Sequence, residues 1–230
     1  LMFGPYLMRL AENKGLIYSV CDGDQPTAIK HIIEELEFMG FKLVMAGNNK
    51  GYLDTYTNPT LIIPEADKRD LDHKMCSSYT DGSKMQIENA VVANGLGLRT
   101  AVPGMYGPRV DHLDNMFDHF DFKDIWDGNQ GVVDYVLGSF PKGSIFAVGY
   151  ADHPHQKKTL DWIPPNLGSG PFYLFYKPYF LGHFESMKSV AWAVLAGEAA
   201  LKPDYGFMTN VYSYAKKDLK AGEELDGMGG

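Results

Sequence analysis

Apolar positions along the chain follow helical and strand-like periods in turn. Residues 5–14 repeat at helical spacing, and Gly15 closes the stretch. The next run, "LIYSV" (16–20), is short and continuous, which predicts a strand ending in "CDGDQP". From about residue 26 to 39, Ile29, Ile32, Ile33 and Leu36 share one helical face. Pro26 lies in the first turn of that helix and Gly40 marks its C-terminal stop. "FKLVMAG" (41–47) predicts a second buried strand, running into "NNKG". Helix, strand, helix and strand joined by short turns are the grammar of a βαβ unit and a parallel sheet.

The pattern changes after residue 50. Residues 51–76 are rich in turns and polar groups, and a helix is predicted over about 82–96. Residues 98–180 alternate the runs "VVDYVLG", "SIFAVGY" and "FYLFYKPY" with Gly and Pro, which predicts an antiparallel sheet. Residues 183–197 form an amphipathic pattern expected to turn Phe184, Met187, Ala191, Val194 and Leu195 inward, with Gly197 as its stop. "TNVYSYA" (209–215) predicts a last strand. The acidic segment "DHLDNMFDHFDFKDIWDG" reads as a solvated amphipathic surface, and "DHPHQ" as a polar loop. In that loop alternate residues point apart, so His153 and His155 are not assigned to a metal. There is no internal repeat, and no G-x-G-x-x-G turn follows any predicted strand.

Composition narrows the function class. A chain of 230 residues with 45% hydrophobic and 13% aromatic content can bury a sizeable core. A net charge of −8 and a pI near 5.3 argue against nucleic-acid or anionic-membrane partners. No run approaches the ~18 apolar residues of a membrane helix. Cys21 and Cys76 stand far apart without a C-x-x-C pair, which suits a reducing compartment and predicts a cytoplasmic protein.

Candidate chemistry collects at four places. In "SSYTDGSKMQIENAVVANGLG", Asp81 stands at a helix mouth with Lys84 and Glu88 one turn apart. Such a pair is either a surface ion pair or an ammonium held ready to exchange a proton with a substrate oxygen. "CDGDQP" ends a predicted strand at the edge where α/β sheets take ligands, and Asp22, Gly23 and Asp24 serve equally an Asx turn and helix cap or a nicotinamide site. Asn48 and Lys50 in "AGNNKG" reach the same edge. "YKPYFLGHFE" offers Lys177 in an extended segment and Glu185 in the first turn of a helix, off its apolar face.

Five blocks taken together resemble a known family. They are "DGDQP", "AGNNKGYLDTYTNPT", "MCSSYTDGSKMQIENAVVANGLGLRTAVPGM", "GPFYLFYKPYFLGHFE" and "AKKDLKAGEELDGMGG". They are similar to homoserine-dehydrogenase-like oxidoreductases with a C-terminal SAF domain, one branch of which is reductoisomerase-like. The resemblance implies a fragment. Residues 1–49 would be the last part of a Rossmann domain whose first half is missing, 50–208 an α+β catalytic and oligomerisation domain, and 209–230 the start of the SAF module. It further implies an NAD- or NADP-dependent enzyme acting on a small hydroxy or oxo compound, assembled as a homo-oligomer. In this chain Lys84, Asp81 and Glu88 would be catalytic, Lys177 and Glu185 substrate-binding, and Asp22, Gly23, Asp24, Asn48 and Lys50 cofactor-binding. "DGSK" matches the position of the family's catalytic Asp and Lys. Phe180 stands where the family usually carries a histidine, so no imidazole role is carried over.

Two alternatives remain. In a sugar-phosphate reductoisomerase, a divalent metal would be held by carboxylates such as Glu88 and Glu185, but few clustered Lys or Arg offer a phosphate pocket. A non-catalytic metabolite-binding protein is the other, and the intact "DGSK" speaks against it.

Overall fold

The fold is built around one strand. The structure, a computed structural model, describes residues 3–162 and 167–229. Helix α1 (Gly4–Glu12) precedes α2 (Gln25–Phe38) and the central strand β1 (Lys42–Lys50). Three helices follow, α3 (Ile63–Asp67), α4 (His73–Thr80) and α5 (Ser83–Leu96). A 3₁₀ turn (Leu113–Asp118) and α6 (Phe122–Ile125) lead to β2 (Val132–Leu137) and β3 (Ile145–Tyr150). After α7 (Pro154–Leu160) come β4 (Phe172–Lys177), α8 (Gly182–Glu185) and α9 (Met187–Leu195).

The four strands form one sheet in the order β2-β1-β3-β4. β1 runs parallel to β2 and antiparallel to β3, which is itself antiparallel to β4. The architecture is therefore mixed α/β. β1 is buried from Leu43 to Asn49 because both faces of the sheet are covered. On one face α2 and α5 pack Ile29, Ile33, Leu36 and Val92 against Ala46, Val133, Ile145 and Ala147. On the other, Leu113, Met116, Phe120 and Phe122 pack against Val44, Met45, Val132 and Phe146. The acidic segment over residues 111–128 therefore behaves as its pattern predicts, with apolar groups inward.

Three expectations fail on neighbours that the pattern cannot supply. Residues 16–20 join no strand, and Leu16 and Ile17 are exposed. The places beside β1 are already filled by β2 and β3, so no parallel βαβ partner exists for that run. "TNVYSYA" joins no strand either, and Tyr212 and Tyr214 lie in solvent. The purely antiparallel sheet expected over residues 98–180 becomes mixed, because "VVDYVLG" pairs in parallel with β1.

Two further differences concern faces. The helix expected over residues 183–197 is split into α8 and α9, and its apolar stripe faces out: Phe184 is 82% and Leu195 84% exposed. Its polar side docks instead, with Ser189 Oγ meeting the Asp22 backbone N–H at 2.5 Å. Residues 154–156 of the predicted polar loop instead open α7, where the His153 ring accepts from the His155 N–H at 3.2 Å.

Candidate functional site

Strand alternation fixes the first half of the site. At the end of β1, Asn48 and Lys50 point toward α2 and α5, while Asn49 points the opposite way to Ser139, Pro141 and Ser144. On α5, Lys84 and Glu88 stand one turn apart. Glu88 is the hub. Its Oε2 lies 3.0 Å from Lys50 Nζ and its Oε1 lies 3.4 Å from Lys84 Nζ. The Glu88 side chain is 5% exposed, against 19% for Lys50 and 45% for Lys84. The Lys84 ammonium also sits 4.9 Å from the centre of the Tyr79 ring. Burial lowers the Lys50 pKa below its usual value; Glu88 opposes that shift, Lys84 adds to it, and Asp24 opposes it.

The loop before α2 forms the second half. Asp24 caps the helix by accepting from the Gln25 N–H at 3.0 Å. Gln25 Oε1 then accepts from Lys50 Nζ at 2.7 Å and from Asn48 Nδ2 at 3.1 Å. Asp22, wholly buried, binds the His31 ring at 2.6 Å. Gly23 adopts φ +77°, and a Cβ there would come 2.7 Å from Glu185 Cβ and 2.8 Å from the Leu181 carbonyl oxygen. Only glycine allows this contact, which seats α8 on the loop.

Glu185 is thereby held over residues 22–25. It pairs with Lys177 at 3.4 Å and with Lys188 at 3.2 Å. Burial would raise its pKa, but Lys188 and Lys177 together outweigh that and lower it. Two shared carboxylates, each engaged by two ammonium groups, thus flank one loop.

The structure gathers Lys50, Lys84, Glu88, Asn48, Asp24, Gly23, Lys177 and Glu185 along this chain of contacts. Asp81 takes another course. Its Oδ1 accepts from the Ser83 N–H at 2.8 Å, while Gly82 is the N-cap, and its Oδ2 pairs with Lys216 at 2.9 Å. Lys216 also donates to the carbonyl oxygens of Thr57 and Gly229, pinning the C-terminal segment beside α5. Three contributors escaped the sequence reading: Gln25, Lys188 and Lys216. Gln25 looked like an ordinary first-turn residue. Lys188, three residues past Glu185, carried the one legible signal.

Polar atoms inside the site are not all satisfied. Asn48 Oδ1 and both side-chain polar atoms of Asn89 are buried without a hydrogen-bond partner, and Glu88 Oε1 meets Lys84 without hydrogen-bond geometry. Buried polar atoms without a protein partner occur elsewhere in the fold as well, at Asn49, Trp126, Ser139 and Tyr173, so they do not by themselves single out this region. An apolar concavity of about 370 Å³ lies between α2 and β4, lined by residues such as Ile32, Met39, Phe175 and Pro178. None of the paired lysines and carboxylates lines it, so the chemistry points to the charged loops instead.

A mixed α/β domain with paired ammonium and carboxylate groups at the end of its central strand has the make-up of a catalytic domain. The family model for the oxidoreductase DRL catalytic domain matches residues 23–186, and the chain belongs to that family. The matched span runs from Gly23 to just past Glu185 and so includes both shared carboxylates. No curated protein matches the chain. Among the described residues, no helix is long and apolar enough to cross a membrane.

Proposed function

We propose that this domain serves an NAD(P)-dependent oxidoreductase of homoserine-dehydrogenase-like type, interconverting a carbonyl and a carbinol on a small polyol, sugar acid or homoserine-like compound. A nicotinamide, when bound, supplies or accepts the hydride. The residues of this chain handle the proton. Lys84, the more exposed ammonium, polarises the substrate oxygen. Lys50, whose pKa is lowered by burial, gives up or takes the proton, and Glu88 between them holds both in register. Lys177 and Glu185 orient the substrate's remaining polar groups. The observation that carries the reading is the buried Glu88 carboxylate shared by two lysines of different exposure.

Residues 22–24 are assigned to the nicotinamide end of the cofactor and not to its pyrophosphate. Phosphates favour free backbone N–H groups at a helix start. Here that start is capped by the Asp24 carboxylate, and the open side of Gly23 is filled by residues 181–185. The metal-dependent alternative is disfavoured because Glu88 and Glu185 are each already engaged by two ammonium groups. A non-catalytic binding role leaves the buried, shared charge of Glu88 without a purpose, since such a group rarely adds net stability.

The test compares Lys84→Met and Lys50→Met in the protein that carries this domain, assayed on sugar acids, polyols and amino-alcohol acids with both nicotinamides. Each change is expected to lower turnover by ~10²–10⁴. Turnover close to wild type in both variants ends the reading.

A further inference from the structure

Lys50 has two anchors, and only one of them is charged. We propose that Gln25 is a positioning residue that holds the Lys50 ammonium and sets its protonation, an inference that rests on the proton-transfer reading of Lys50. The Gln25 contact to Lys50 is the shorter of the two, 2.7 Å against 3.0 Å for Glu88. Gln25 is itself buried, and its backbone is fixed by the Asp24 cap and by Pro26. Its amide oxygen is shared with Asn48 Nδ2, so Gln25, Asn48 and Lys50 form a single network. That network leaves Asn48 Oδ1 as the unpartnered atom.

The chemical point is the choice of a neutral acceptor. A second carboxylate at residue 25 would clamp the ammonium and oppose its loss of a proton. An apolar side chain would leave the ammonium with Glu88 alone and free its swing between Glu88 and solvent. An amide oxygen orients the group while adding no full charge, so burial and Lys84 can act on it. The other charged groups facing Lys50 are Glu88 on α5, Lys84 on α5 and Asp24 at the start of α2.

The experiment measures Lys50 protonation directly, without a substrate. The whole chain is labelled by acetic anhydride across a pH series, and the modified fraction at Lys50 is read by peptide mass spectrometry. In Gln25→Glu the midpoint is expected to rise by about one pH unit, as an added neighbouring carboxylate commonly does. In Gln25→Met, which keeps the length but removes the acceptor, it is expected to fall. Circular dichroism confirms that both variants are folded. An unchanged Lys50 midpoint in both folded variants overturns the proposal. If the midpoints move as expected but Lys50→Met does not slow turnover, the role of Gln25 stands and the catalytic reading of Lys50 fails.

Discussion

Replacing Glu88 with Gln removes the charge that two lysines share while keeping the side chain's shape. The Lys50–Glu88 pair is 3.0 Å apart, with side chains 19% and 5% exposed, so solvent screens it little. An opposite charge at this range commonly moves a pKa by ~1–3, at about 1.4 kcal/mol each. Orphaning one partner of a buried pair can cost ~3–5 kcal/mol. Lys50 keeps Gln25 as an acceptor and can shed its proton, so the loss falls below that range and within the one set by the pKa effect, about 2 kcal/mol at neutral pH.

For a chain of this size that loss lowers the melting temperature by about 4–8 °C. The sign with pH follows from linkage. Burial already lowers the folded-state pKa of Lys50, and removing Glu88 lowers it further. Between that folded value and the unfolded value of ~10.4, the unfolded chain binds more protons, so stability rises with pH. This window opens at lower pH in the variant than in wild type, and the gap between them narrows as pH rises. Urea unfolding followed by circular dichroism at neutral and mildly alkaline pH reads both quantities. A variant within about 0.5 kcal/mol of wild type at neutral pH, the size of an exposed pair, refutes the reasoning. A gap that widens with pH refutes it equally.

Lys216→Ala leaves the buried Asp81 carboxylate without its ion-pair partner and frees the carbonyls of Thr57 and Gly229. We expect a loss of about 2 kcal/mol and faster tryptic cleavage within residues 209–229; unchanged cleavage there would show that Lys216 does not pin the segment. The exposed stripe of Phe184, Val194 and Leu195 supports a proposed homo-oligomer, in which burying that face excludes water from it. Light scattering is expected to give a multiple of the chain mass, reduced to one by Leu195→Asp; a wild-type monomer at micromolar concentration counts against the proposal.

Periodicity alone placed α2, β1, α5, β2, β3 and β4 close to their observed bounds, because each has a strong apolar face or run between Gly, Pro or capping residues. The helical spacing of Lys84 and Glu88 also made their contact legible, since i and i+4 neighbours meet whatever the fold. What lay beyond reach was the identity of the neighbours. "LIYSV" has a strand's composition, but β2 and β3 had taken both sides of β1, and Val20 N–H bonds the Leu201 carbonyl oxygen rather than a strand. The stripe on α8 and α9 showed which residues share a face but not that Gly23 would bring the opposite, polar side against the loop before α2. The same contact carries Glu185 to that loop, and the register of β1 carries Lys50 to Gln25 and Glu88. A side chain's type and local spacing are written in the chain. Its partner, its burial and hence its pKa arise only when distant segments close around it.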